Sequence, residues 1–309
     1  MGEIAVFRGA TVRDMKKLYP IRTLFRTGKA GEAFDGIPYP EGVPSRGSIW
    51  PFGLYVCPGT HRFLAFFHNE TGWNGGGTGY DSFGRCHIPK YDSDFRHVGL
   101  MHSDDEGRTW SFDRWVLTGE AVCFSEAFDP TNSVVKGQPM KALRLGAGDF
   151  SLFAPAGEYL YIFYTMLEVD AETGVLTACD TYAARARKRD DGVMGDFVKY
   201  YGGAFCEAGN CGKESPVARD LWHARVLYLR EEGAYMMSGS TTSCRRVLNV
   251  DAAPTVERGV QLLFSEDLIH WSEPTVLRKD GRPFGDQYCA FYSDDEKDAH
   301  WESGNSFCS

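Results

Sequence analysis

No run of apolar residues in this 309-residue chain approaches the length needed to cross a bilayer, which excludes a transmembrane helix and leads us to expect no membrane partner. A basic stripe with interleaved aromatics is also missing. The net charge of −9 argues against nucleic acid as a partner. The one basic cluster, Arg185-Ala-Arg187-Lys188-Arg189, reads as a solvated strand end and turn. The nine cysteines form no CxxC pair and no zinc spacing, so no metal or other cofactor is expected. Cys206 and Cys211, close together in a Gly-rich stretch, are either a local disulfide or reduced like the other cysteines. There is no Gly/Ser-rich or Pro-rich linker to divide the chain, so residues 1–309 read as a single domain. Long amphipathic helical stretches are absent, and only Arg13 to Arg26 offers a short helix. The start, Met1-Gly-Glu-Ile-Ala-Val-Phe7, lacks a charged head followed by an apolar core, so no signal peptide is visible, although a secreted or periplasmic location is still the expectation. Asn69-Glu70-Thr71 fits a glycosylation acceptor but falls at a strand end.

What the chain does contain is strands and turns. It has 21 Phe, 15 Tyr, 7 Trp and 35 Gly, which suits many short strands joined by tight turns. Runs such as Phe63-Leu-Ala-Phe-Phe67 and Tyr159-Leu-Tyr-Ile-Phe-Tyr164 are apolar without alternation, as expected of strands covered on both faces. Hairpins are predicted from Ile49 to Phe67 around Pro58-Gly59, from Phe150 to Thr165 around Gly157, and from Val226 to Ser238 around Gly233.

A second kind of hairpin follows each of these. Ser103-Asp-Asp105-Glu-Gly107-Arg-Thr109-Trp110 sits between Val98 to Ser103 and Trp115 to Leu117. Here Asp105 can accept turn N–H groups, Gly107 supplies positive φ and the Trp110 indole packs under the turn. Ser265-Glu-Asp267-Leu-Ile-His-Trp271 repeats the device before Val276-Leu277, and a looser copy joins Tyr182 to Arg187 with Phe197 to Tyr201. The first segment resembles the Asp-box of sialidase-type propellers, a structural turn without catalytic residues. Repetition of an inner and an outer hairpin predicts an all-β fold, a single β-propeller of four-stranded blades. The chain length allows five blades, with four as the alternative. The first 45 or so residues and a strand from Gln287 to Tyr292 would complete the disc.

In a propeller the ends of the inner strands converge on one funnel, so carboxylates there mark the candidate site. His68-Asn69-Glu70 ends an inner strand and leads into a Gly-rich loop carrying Trp73, Tyr80 and Asp81, where aromatic rings could stack on a sugar. Gly146-Ala-Gly148-Asp149 opens an apolar strand, and a carboxylate there is costly unless it is paired or working. Glu214-Ser-Pro216 leads toward the next blade, with Trp222 and His223 just beyond. Each carboxylate also has a structural reading: a solvent-facing strand end for Glu70, a turn cap for Asp149, and pairing with Lys213 or Arg219 for Glu214.

Gly148-Asp149-Phe-Ser-Leu-Phe153, the strand Tyr159 to Thr165, and Ser265-Glu-Asp267-Leu-Ile-His-Trp271-Ser-Glu-Pro274 together resemble the five-bladed propeller glycoside hydrolases of the arabinanase, xylosidase and invertase group. The resemblance implies a carbohydrate substrate and three carboxylates around the scissile bond: a base or nucleophile, an acid and a modulating Asp. By position Asp149 falls on the Asp that leads the second blade and Glu214 on the acid. The stretch Arg46-Gly-Ser-Ile-Trp-Pro51, where that group carries its first Asp, has no carboxylate, so Glu70, Asp81 or Asp35 must supply the third. Sialidases proper are a poorer match, because only one complete Asp-box is present and Tyr19-Pro-Ile-Arg22 departs from their F-R-I-P. The expectation is therefore a glycosidase with catalytic Asp149, Glu214 and Glu70 and substrate-binding His68, Trp73, Asp81, Trp222 and His223. A propeller that binds a glycan or another partner without turnover is the alternative.

Overall fold

A computed structural model of the chain describes residues 5–10, 13–20, 48–70, 96–119, 146–170, 176–240, 259–285, 288–293 and 301–304, with short pieces between 128 and 144. Every regular element among the described residues is a β-strand. Among the described residues, three antiparallel meanders of four strands each make up most of the sheet. The first runs Ser48–Val56, Phe63–Glu70, Arg96–Ser103, Ser111–Thr118. The second runs Gly148–Phe153, Tyr159–Asp170, Leu176–Arg187, Val198–Tyr201, and is widened by shorter strands at its edges. The third runs Trp222–Leu229, Ala234–Ser240, Val260–Ser265, Thr275–Val276.

These are propeller blades, and the reason lies in what their faces bury. The inner strand of the second blade packs against the inner strands of both the first and the third. One apolar cluster, including Phe66, Leu100, Phe150, Ile162 and Tyr164, fills the gap between the first two blades. Another, with Phe153, Phe163, Leu221, Val226 and Met237, fills the gap between the second and third. A blade covered on both faces needs unalternating apolar strands, and that is what the runs at 63–67 and 159–164 supply. Gly99 belongs to the same packing: a Cβ there would lie 2.1 Å from the Phe67 ring.

The outer hairpins form as their residues require. Ser103 Oγ accepts the Gly107 N–H (2.8 Å) and donates to Asp105 (2.7 Å). Asp105 in turn accepts the Thr109 N–H and hydroxyl (2.8 and 2.7 Å), and the Trp110 indole donates to the Gly107 carbonyl (2.9 Å). At Ser265 to Trp271 the arrangement recurs, with Leu268 rather than glycine taking the positive φ (69°) and the Trp271 indole donating to its carbonyl (3.1 Å). Both turns join the outer two strands of their blades.

Four expectations change. Residues 13–20 are not helical: Lys16–Pro20 is a strand paired with Ala5–Arg8, since Gly9 and Asp14, which accepts the Ala10 N–H, close a hairpin instead. The stretch from Tyr288 to Tyr292 forms a turn and an isolated bridge, while Glu302–Ser303 pairs in parallel with the third blade's inner strand. Cys211 is disulfide-bonded but Cys206 is free, its thiol 3.6 Å from the Tyr201 carbonyl, so the two do not bond to each other. Asn69 is fully buried in its strand, which removes it as a glycosylation acceptor. No helix among the described residues is long and apolar enough to cross a membrane.

Candidate active site

The inner strand of each of the three described blades carries one extra residue. In the first blade the register slips between Pro51 and Gly53, in the second between Gly148 and Ser151, and in the third between Trp222 and Arg225. A bulge bends its strand and re-aims the side chains at it. Here the three bulges turn Phe52, Asp149 with Phe150, and His223 toward one another. Phe52 lies 5.6 Å from the His68 ring, 5.4 Å from Phe150 and 6.1 Å from Tyr288.

Asp149 is the centre of the cluster. Its carboxylate accepts the Trp222 indole N–H (2.9 Å) and the Tyr288 hydroxyl (3.1 Å) and lies 3.5 Å from an Arg96 guanidinium nitrogen. It is 5% exposed, and its pKa is still held below the ordinary carboxylate range. Burial, the largest influence, pushes the other way; the Arg96 charge and the Trp222 bond, joined by His68 and His223 only once acid protonates them, outweigh it. Asp149 is thus an ionised carboxylate in a covered place.

The histidines beside it are neutral. His68 Nδ1 accepts the backbone N–H of Asp149 (3.2 Å), which an imidazolium could not do, so its 3.7 Å approach to the carboxylate is not an ion pair. Burial drives His68 down to about 3 and His223 to about 4, with Asp149 opposing in both cases. His223 stacks on Tyr288 with ring centroids 3.8 Å apart. Arg225 closes the third side, donating to the Phe150 carbonyl (2.8 Å).

The backbone around the carboxylate is held in uncommon conformations. Asp149, His223 and Tyr288 have φ of 43°, 58° and 59°. Left-handed non-glycine residues are scarce and gather at functional sites, because the surrounding structure must hold them there. Glycines allow the close approach: a Cβ on Gly148 would lie 2.6 Å from Arg96 Cδ and 2.9 Å from His68 Nε2.

Glu214 has a different set of partners. Its Oε2 accepts the Tyr164 hydroxyl (2.6 Å) and pairs with Lys199 Nζ (2.8 Å), and neither charged side chain has exposed surface. Lys199 also donates to the Thr118 and Gly212 carbonyls (2.6 and 3.0 Å). The Tyr164 hydroxyl is pushed well above its ordinary pKa, first by burial and then by Glu214. Arg219, a partner considered from the sequence, lies beside Asp180 instead (3.6 Å).

Of the residues singled out in the sequence, His68, Asp149, Trp222 and His223 meet in one cluster, and Glu214 lies in a buried ion pair. Glu70 ends its strand opposite Ser48 and Arg96, with its side chain outside the described set. Trp73, Asp81 and Asp35 lie outside the described residues. Sequence reasoning missed Arg96, Tyr288 and Arg225. The cue for Arg96 was available in Gly146 and Gly148, whose missing side chains make room for it.

No family model and no curated protein matches the chain. Solved structures similar to it include a GH43 β-1,3-galactosidase with galactodeoxynojirimycin, at 13% identity over 90% of this chain and 69% of that one, TM-score 0.43. Another is the α-L-arabinanase of Penicillium chrysogenum complexed with arabinobiose, at 14% identity over 76% and 52%, TM-score 0.38. A third is a Hadza microbial sialidase, at 15% identity over 88% and 40%, TM-score 0.43. The chain thus spans about half the length of the arabinanase and less of the sialidase. Likeness at this level carries no argument about activity, and the fold rests on the strand order and blade packing above.

Proposed function

We propose that the protein is a glycoside hydrolase acting on a poly- or oligosaccharide at the inner ends of its blades. The observation that supports this reading is the convergence of three bulged inner strands on a buried, ionised Asp149 flanked by Trp222, Tyr288, His68 and His223. In the proposed reaction a carboxylic acid protonates the leaving glycosidic oxygen while a carboxylate activates water or attacks the anomeric carbon. Asp149, kept ionised by Arg96 and its hydrogen bonds, suits the base or a partner that tunes it. Glu214 is assigned the acid, a role that requires the Lys199 pair to open toward substrate, and Glu70 or Asp81 supplies the third carboxylate.

Released sugar is to be measured against a panel of plant, algal and bacterial polysaccharides. Asp149→Asn is expected to abolish turnover of both the natural glycan and an activated aryl glycoside. Glu214→Gln should lose the glycan but retain more of the aryl substrate, whose leaving group needs little protonation. Wild-type activity in both variants would refute the roles. The complete burial of Glu214 and the absence of a carboxylate on Ser48–Val56 favour one competing reading, a propeller that binds glycans without turnover. Saturable glycan binding with no product from any panel member would establish it.

A further inference from the structure

Away from the Asp149 cluster, the second blade holds an arginine with no acidic partner among the described residues. Arg185 lies two strands out from the strand of Asp149, in register with Tyr161 and Val198. Gly148, beside Asp149, is in register with Thr165. Four residues along that strand place Arg185 about 13 Å away lengthwise, and two strand spacings add about 10 Å across. The two places are therefore separate.

The Arg185 guanidinium is held between two aromatic faces, 4.1 Å from the Tyr159 centroid and 4.4 Å from that of Phe205. Its Nε is buried without a hydrogen-bond partner, and no carboxylate of the described residues lies within ion-pair distance of it. The neighbouring cations are engaged. Arg187 pairs with Glu158 (3.2 Å), Arg189 with Asp191 (2.5 Å), and Lys188 donates to the Pro155 carbonyl (2.6 Å). All four basic residues line an open recess of about 590 Å³ with Tyr159, Phe205 and the exposed Asp196, whose carboxylate turns to Arg114 (3.7 Å). That volume falls within the roughly 300–1,000 Å³ typical of small-molecule sites.

Two rings fix the plane of the guanidinium while leaving its N–H fork uncommitted, which is the preorganisation a planar oxyanion needs. The exposed Arg187–Glu158 and Arg189–Asp191 pairs are weak enough to exchange a carboxylate for a ligand. The overall charge of −9 repels long polyanions, so the recess fits one anionic group rather than a charged polymer. We propose that this recess is a second binding site, taking the carboxylate or sulfate group of an acidic saccharide on Arg185. The oxyanion part stands on the recess alone, and the saccharide part rests on the glycosidase reading.

Calorimetric titration with digalacturonate, the neutral disaccharide α-1,4-galactobiose and sodium sulfate tests it. Digalacturonate should bind the wild type, galactobiose should not, and sulfate should compete. Loss of charge-assisted hydrogen bonds predicts at least about tenfold weaker binding in Arg185→Gln. Arg185→Lys, which keeps the charge without the fork, should also bind more weakly, and Asp149→Asn should bind as the wild type. If Arg185→Gln fails to fold, Arg187→Gln, 63% exposed at its side chain, carries the test through an expected loss of about threefold. Equal binding of the charged and neutral disaccharides, or unchanged affinity in the folded variants, overturns the proposal. Sulfate binding that depends on Arg185, without any for digalacturonate, overturns the saccharide part alone. Absence of glycan turnover with intact digalacturonate binding removes the glycosidase reading and leaves this site standing.

Discussion

Acid should unfold this protein well before its carboxylates protonate. His68 and His97 are driven by burial to about 3 and His223 to about 4, against an ordinary value near 6.5. Between those limits the unfolded chain binds a proton on each ring and the folded one does not, so stability rises with pH and is lost as pH falls below about 6.5. Each histidine changes stability by at most about 1.4 kcal/mol per pH unit. Going from pH 7 to 5, each contributes a loss of about 2 kcal/mol, and together they contribute about 6 kcal/mol, roughly the whole stability of a marginal domain. Asp149, whose folded pKa is depressed, adds its loss only below the unfolded carboxylate value near 3.9. Asp180, raised by burial, works in the opposite sense near its own range. Urea unfolding at pH 7, 6 and 5 measures the slope directly. His97→Gln removes one of the three protons at a ring that stands against Trp115 (5.8 Å) and meets the Asp149 cluster only through the charge of His68, and should flatten the slope by about a third. A total loss below about 1.4 kcal/mol across that range, less than one histidine's share, would show that these rings are not buried neutral in solution.

Lys199→Met should destabilise by about 3–5 kcal/mol in urea, because it strands the Glu214 charge where neither side chain is exposed. The double variant Lys199→Met/Glu214→Leu should recover most of that loss, and additive losses would mean that the pair is not coupled. Ser103→Ala and Ser265→Ala should each cost about 1–3 kcal/mol, because each hydroxyl satisfies turn N–H groups in a buried place. Thermal unfolding of the two variants is the check, and a loss at only one of them would end the claim that the two turns are the same device.

The turns were readable because their chemistry is local: Ser103, Asp105, Thr109 and Trp110 find their partners within four residues. The blade rhythm was readable for a similar reason, as strands buried on both faces announce themselves in composition. The site was legible only in part. Asp149 and His223 could be placed at strand starts, but the bulges that aim them are irregularities of pairing between distant strands and leave no periodic trace. Glu214 shows the same limit. Its neighbours Lys213 and Arg219 offered the obvious charges, yet the partner is Lys199, brought alongside where the Ser215 N–H bonds the Tyr200 carbonyl (2.9 Å).

The parallel pairing of Glu302–Ser303 with Tyr228 and Leu229 bears on how the chain is made. Trp301 donates its indole N–H to the Leu152 carbonyl (3.0 Å) and packs on the apolar clusters of both blade interfaces. During synthesis the second and third blades therefore emerge from the ribosome with this wedge still to come. Their shared seam stays incomplete, and a nascent chain paused before residue 301 should be open to proteases along it. Once the wedge has seated, the seam closes.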